Sequence, residues 1–106
     1  MKLLNVRKDG GSIQFYNKKK IQSFSLRFLC NSTLSSYIVN IIVRKVSFTL
    51  RTLIGKSIVT AEEGEHRQTL KVNVTMPKIL DSYGATLVAN ECYEAAADIL
   101  CEWGLT

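Results

Sequence analysis

Several things this chain lacks already narrow its function. It has a single proline, Pro77, in 106 residues, and 46% of its residues are hydrophobic against 22% charged. Those proportions exclude a proline-rich, collagen-like or intrinsically disordered chain. Cysteine is sparse and odd in number: Cys30, Cys92 and Cys101 form no C-x-x-C pair, which excludes a disulfide framework and a thiolate zinc site. Histidine occurs once, as His66 beside an acidic loop, so a cysteine or serine nucleophile has one candidate base and no more. No serine stands in a nucleophile-elbow pattern, and Gly10-Gly11 lacks the context of a phosphate loop. The longest strongly apolar run, Tyr37 to Val43, is broken by Asn40 and is far too short to span a bilayer. The opening MKLLNVRKDGG reaches charge and glycine too soon for the apolar centre of a signal peptide. The chain reads as soluble and made in a reducing compartment, with no membrane partner.

A further absence concerns charge of one sign. No Lys or Arg follows Lys78. All fourteen cations lie in residues 1–78 beside four acids, a net of +10, whereas residues 79–106 hold five acids and no cation, a net of −5. The length suits one domain with a modest core, spanning 1–106. Within it, 1–78 reads as a basic β-sheet region and 79–106 as an acidic helical region. The overall charge of +5 suggests a polyanion or an acidic surface as partner.

The first 78 residues carry strand and turn signals. Asp9-Gly10-Gly11 between Leu3–Val6 and Ile13–Tyr16 predicts a hairpin. From Ile21, Phe24, Leu26 and Phe28 alternate with Ser23, Ser25 and Arg27, the pattern of a sheet with one wet side. Tyr37 to Val46 (YIVNIIVRKV) is β-branched and aromatic and is read as a central strand, with the alternation continuing through Ser47 to Ile54. Ile58 to Thr60 adds a short strand and Ala61 to Gly64 a loop. Gln68 to Met76 alternates again, Leu70, Val72, Val74 and Met76 opposing Thr69, Lys71, Asn73 and Thr75, and Pro77 ends it. Beyond, Asp81 or Ser82 can cap a helix over Ala85 to Trp103, with Val88, Cys92, Ala95, Ile99 and Trp103 as its apolar stripe, Ala96 and Leu100 beside it, and Glu91, Glu94, Asp98 and Glu102 on its wet side.

These elements predict an α+β fold: an antiparallel β-sheet with an N-terminal hairpin and a C-terminal helix packed on one face. About five strands at about 4.8 Å each make a sheet about 24 Å wide, and one helix about 10 Å across cannot cover it. The uncovered apolar surface calls for association, most economically an interlocked dimer. The opposite sheet face is expected to gather Ser23, Ser25, Arg27, Asn40, Arg44, Ser47, Thr49, Arg51, Thr69, Lys71, Asn73 and Thr75. It would then hold hydroxyls, amides and cations without one carboxylate or aromatic ring. Cations neutralise phosphates, and short polar groups bond to base edges and sugars. With no catalytic constellation, cofactor motif or small-molecule site evident, the chain reads as a binding or structural protein and not an enzyme.

Three segments carry a resemblance. Lys8 to Asn17 (KDGGSIQFYN) is similar to the N-terminal hairpin of the coat proteins of single-stranded RNA bacteriophages, the levivirus type. Tyr37 to Val46 resembles that family's tyrosine-led central strand. Leu70 to Pro77 (LKVNVTMP), a short loop and an apolar-striped helix resemble its last strand and first helix. Residues 47–67 match nothing in the family. The resemblance implies a homodimer that assembles into an icosahedral shell around single-stranded RNA, in a virion put together in the bacterial host cytoplasm. Some members also bind an RNA hairpin and repress translation. Carried over by position, Asn40, Thr69, Lys71 and Asn73 face RNA, joined by Ser23, Ser25 and Arg27 through face parity and by Arg44 from the polar side of the central strand. The other reading is a small dimeric α+β nucleic-acid-binding or regulatory protein that forms no particles.

Overall fold

Alternation in the sequence becomes strand pairing at β1 (Leu3–Asn5), β2 (Ser12–Phe15), β3 (Ile21–Leu29), β4 (Ile58–Glu63) and β5 (Thr69–Leu80), with helices α1 (Ser36–Ile54) and α2 (Ser82–Glu102) between and after them. The structure is a computed structural model that describes residues 3–5, 11–16, 20–64 and 68–106. All strand pairs are antiparallel, in the order β1-β2-β3-β5-β4. This is the expected α+β class, an antiparallel sheet with an N-terminal hairpin and a C-terminal helix on one face. The Asp9-Gly10 turn, Lys18, Lys19 and His66 lie outside the described residues.

Strand β3 runs through the middle of the sheet and follows its sequence parity. Phe24, Leu26 and Phe28 are buried on the face that α2 covers, and Phe15 meets Phe24 edge-on across the β2–β3 pair at 6.1 Å. Strand β5 does the same with Leu70, Val72, Val74 and Met76, all buried. Strands β4 and β5 both run past their expected ends. Strand β4 extends to Glu63, so Glu62 and Glu63 belong to the sheet and not to a loop. Strand β5 continues through Pro77 to Leu80, because the register against β3 shifts between Ile21 and Ser23. Pro77 sits within that irregular stretch, where a residue without an N–H costs no ladder bond.

The segment from Ser36 to Ile54 is the main correction: it is a helix, not a central strand and its continuation. Ile38, Ile42, Val46 and Leu50 recur every four residues and are all buried, forming the stripe a helix needs. Ser35 caps the start, its hydroxyl accepting from the Ile38 N–H at 3.3 Å, and Gly55 ends the helix at φ 90°, donating to the Arg51 carbonyl at 3.2 Å. Thr49 and Thr52 hydroxyls donate back to the Lys45 and Phe48 carbonyls. Valine and isoleucine each lose some tenths of a kcal/mol in a helix. Burying each of the four stripe side chains returns about 1.5–3 kcal/mol. Packing therefore outweighs propensity. Residues 1–78 are a basic region, but not an all-β one.

Helix α2 forms where expected, capped by Asp81, whose carboxylate accepts from the Gly84 N–H at 2.8 Å. Val88, Cys92 and Ile99, with Ala96 and Leu100 beside them, are buried as anticipated; Ala89 and Tyr93 add to the contact, Ala95 is half-buried and Trp103 half exposed. Tyr93 is fully buried and stacks on Phe28, centroids 4.8 Å apart. Its phenol occupies the space a side chain at Gly11 would need, so this position requires glycine. Both helices lie on the same sheet face, α2 over β2, β3 and β5 and α1 over β4 and β5. The apolar surplus that called for an interlocked partner is thus covered within the subunit: α1, read as sheet, is its second cover.

Candidate nucleic-acid interface

Strand pairing brings the polar positions of four strands onto the sheet face that the helices leave bare. Direct cross-strand partners form rows: Ser12, Arg27, Lys71 and Glu62; Gln14, Ser25, Asn73 and Thr60; then Ser23, Thr75 and Ile58. Leu29 and Thr69 pair at one end. Of the expected face residues, Ser23, Ser25, Arg27, Thr69, Lys71, Asn73 and Thr75 do come together. At the centre, Arg27 and Lys71 stand directly opposite one another on β3 and β5. Like charges in that position cost up to about 1 kcal/mol, and Glu62 on the far side of Lys71 offsets part of it.

A hydrogen-bonded chain crosses this face. The Tyr16 phenol and the Ser25 hydroxyl lie 2.6 Å apart; Ser25 donates to the Asn73 side-chain carbonyl at 2.9 Å; the Asn73 amide donates to the Glu62 carboxylate at 3.0 Å. Ser25 is 0% exposed, so its hydroxyl is a structural link and not a ligand contact, which corrects its expected role. Two further expectations change here. The face is not free of carboxylates, because Glu62 enters from β4. It is not free of aromatics either, because Tyr16 reaches over Ser25. The parity of Ser12, Gln14 and Tyr16 in the sequence carries that second signal.

Asn40 and Arg44 do not join the face. Both are exposed on α1, on the other side of the sheet, together with Arg51. Ser47 and Thr49 go with them, half-buried on the same helix. A strand and a helix distribute the same residues differently: parity put Asn40 and Arg44 beside Ser25, whereas the helical turn sets them opposite Ile38 and Ile42.

Thiol chemistry offers little. Burial, with Glu91 nearby, pushes the Cys92 thiol up to about 12. Burial and then Glu63 raise Cys30, against a lowering backbone hydrogen bond at Leu70. Both are held as protonated core groups; Cys101 is exposed, 3.4 Å from the Thr106 hydroxyl. Among the described residues, no three His, Cys, Asp or Glu side chains converge to hold a metal ion. A cleft of about 440 Å³ opens at the β3–β5 irregularity, lined by Gln22, Lys56, Ser57, Ile58, Thr75, Met76 and Pro77, a set without acid, thiol or imidazole. Among the described residues, no helix is long and apolar enough to cross a membrane.

No family model, curated protein or solved structure matches the chain.

Proposed function

We propose that this protein is an RNA-binding coat-type subunit that lays the bare face of its sheet on single-stranded RNA and associates with further copies through other surfaces. One observation carries this reading: Arg27 and Lys71 stand as direct cross-strand partners on a face made otherwise mostly of hydroxyls and amides, with one carboxylate, Glu62, beside Lys71. A phosphate bridging the two relieves their repulsion and gains charge-assisted hydrogen bonds. Ser12, Gln14, Ser23, Thr60, Thr69 and Thr75 around them supply partners for sugars and base edges, and the outer ring surface of Tyr16 supplies a place for a base to stack. A polar face spread over four strands suits an extended polyanion and not a small substrate.

The packaging role draws on the resemblance of Leu70 to Pro77 and the following helix; these follow one another as β5 and α2, with Asp81 alone between them where the resemblance implies a short loop. The tyrosine-led segment, being α1, lends it no support, so a sheet interlocked through that segment is no part of the reading. In this role the protein works in a virion assembled in the bacterial host cytoplasm. The specific observation that α1 completes the core within one subunit favours a second reading, a discrete dimeric nucleic-acid-binding or regulatory protein without particles.

The protein expressed alone in bacteria and viewed by electron microscopy separates the two. Shells with nuclease-protected RNA support the coat reading; small species that bind RNA support the second. In either case Arg27→Ala and Lys71→Ala are expected to lower RNA affinity several-fold, each flattening the log–log salt dependence by about 0.7. Unchanged affinity and slope in both variants would remove the sheet face as the RNA surface.

A further inference from the structure

The outer surfaces of the two helices are opposite in charge. Helix α1 exposes Arg44, Lys45 and Arg51 and contains no carboxylate; α2 exposes Glu91, Glu94, Asp98 and Glu102 and contains no cation. Large apolar side chains stand uncovered among these charges: Tyr37 (66% exposed) and Phe48 (61%) on α1, Tyr83 (74%) and Leu87 on α2, and Trp103 just past its end. Neither the subunit's own core nor the RNA face uses them.

We propose that a second copy of this chain docks on the helical layer, each α1 lying on the partner's α2. This does not depend on the RNA-binding reading. The helices run antiparallel, Tyr37 near the start of α1 packing edge-on against Trp103 with ring centroids 6.2 Å apart. A twofold axis parallel to the helices, midway between two facing layers, sets α1 of one copy over α2 of the other at unchanged height. Because both helices rise equally per residue, Arg44 then lies level with the partner's Glu94–Asp98 turn. Arg51 lies level with the partner's Leu87 and Glu91. Every contact occurs twice.

The other simple twofold, with its axis across the helices, sets α1 on α1 and places Arg44, Lys45 and Arg51 against their own copies. Like charges facing one another suppress that arrangement. The charge pattern therefore selects one isologous dimer. Helices of 19 and 21 residues side by side present a footprint of about 600 Å², and side-chain relief brings it near the ~800 Å² per partner of a standard interface. Exposed aromatic rings within such a patch are the residues that usually anchor an interface.

Glu94 and Asp98 also make contacts of their own within the subunit, so the test acts on Glu91 and Glu102. Sedimentation velocity of RNA-free protein over a range of concentrations reads the result. The unaltered chain is expected to dimerise, less so at high salt. Arg44→Glu with Arg51→Glu, and separately Glu91→Arg with Glu102→Arg, should each raise the dimer dissociation constant about tenfold or more. The single variants Arg51→Glu and Glu91→Arg should each be weakened alone and regain a dimer when mixed in equal amounts, because the mixed pair sets opposite charges at both 51–91 contacts, and that recovery also shows that neither variant has misfolded. A monomeric unaltered chain overturns the proposal. So does normal dimerisation of the Glu91/Glu102 variant, which would point to α1 on α1 or to another surface. Failure of the mixture to pair overturns it too, as does loss of RNA binding on reversing α1 in a chain that stays monomeric, which would assign α1 to nucleic acid.

Discussion

Two stretches of this molecule share a vocabulary of valine, isoleucine, threonine and cations, and fold in opposite ways. Tyr37–Ile54 lies within helix α1; Thr69–Leu80 is strand β5. In β5 every apolar residue from Leu70 to Met76 falls on one parity and every polar one on the other, so a strand buries one face and wets the other. In Tyr37–Ile54 apolar residues occupy both parities: Ile38, Val39, Ile41, Ile42 and Val43 stand almost together. A strand there would need cover on both faces, which a two-layer subunit does not provide. The four-residue recurrence of Ile38, Ile42, Val46 and Leu50 needs cover on one side alone, and the sheet provides it. The number of surfaces a segment must hide decides its conformation more firmly than residue preference does.

Proline gives the sharpest way to break this contrast, with the largest expected effect. Strand β5 already accommodates Pro77 at its register shift, whereas α1 holds no proline. Val43→Pro removes an intrahelical hydrogen bond and clashes with the preceding turn, at about 3 kcal/mol or more. Against a total stability of about 5–15 kcal/mol for a domain, that should strip helical signal from the circular dichroism spectrum and bring unfolding down by many degrees. An unchanged spectrum and melting point would refute the helix.

Truncation of neighbouring residues sharpens the same point at a smaller scale. Ile42 is fully buried and Ile41 only half so. Ile42→Ala should cost about 2–4 kcal/mol and Tyr37→Ala well under 1, measured by urea unfolding. A strand with Tyr37, Val39, Ile41 and Val43 inward reverses that order. In β5 the parity rule holds, so Val72→Ala should be costly and Thr75→Ala close to neutral.

The legible parts of the fold were those in which a single face is buried: β3, β5 and α2, including its Asp81 cap and acidic outer row. For the same reason Ser23, Arg27, Thr69, Lys71 and Asn73 could be placed together on one face from parity alone. Asn40 and Arg44 were misplaced with α1, because a short apolar run on both parities suits a buried strand and a helix equally. Length could have arbitrated, since eighteen unbroken residues from Tyr37 to Ile54 are far more than the usual five or six of a strand. Glu62 and Ser25 were illegible for another reason. Their roles depend on which strands are neighbours: β4 lies beside β5, and Tyr16 reaches Ser25 from β2's side, both facts of topology that local pattern does not carry.

Effects well below those of Val43→Pro and Ile42→Ala are expected at the two signals that bound α1 and read equally well as turns, Ser35 and Gly55. Gly55 has φ 90° and ψ −129°, outside the left-handed helical well that asparagine tolerates and within the region open to glycine almost alone. No atom lies within 4 Å of a Cβ placed there, so the cost of substitution is conformational and not steric. Gly55→Ala and Gly55→Asn should therefore lower stability alike, by about 1–2 kcal/mol; a clear advantage for asparagine would mean the turn adopts an ordinary left-handed cap. Ser35→Ala should cost less, about 0.5–1 kcal/mol, since its bond to the Ile38 N–H is long, at 3.3 Å. Were Tyr37–Ile54 a strand, Ser35 would cap nothing, and Ser35→Ala would leave the thermal midpoint where it was.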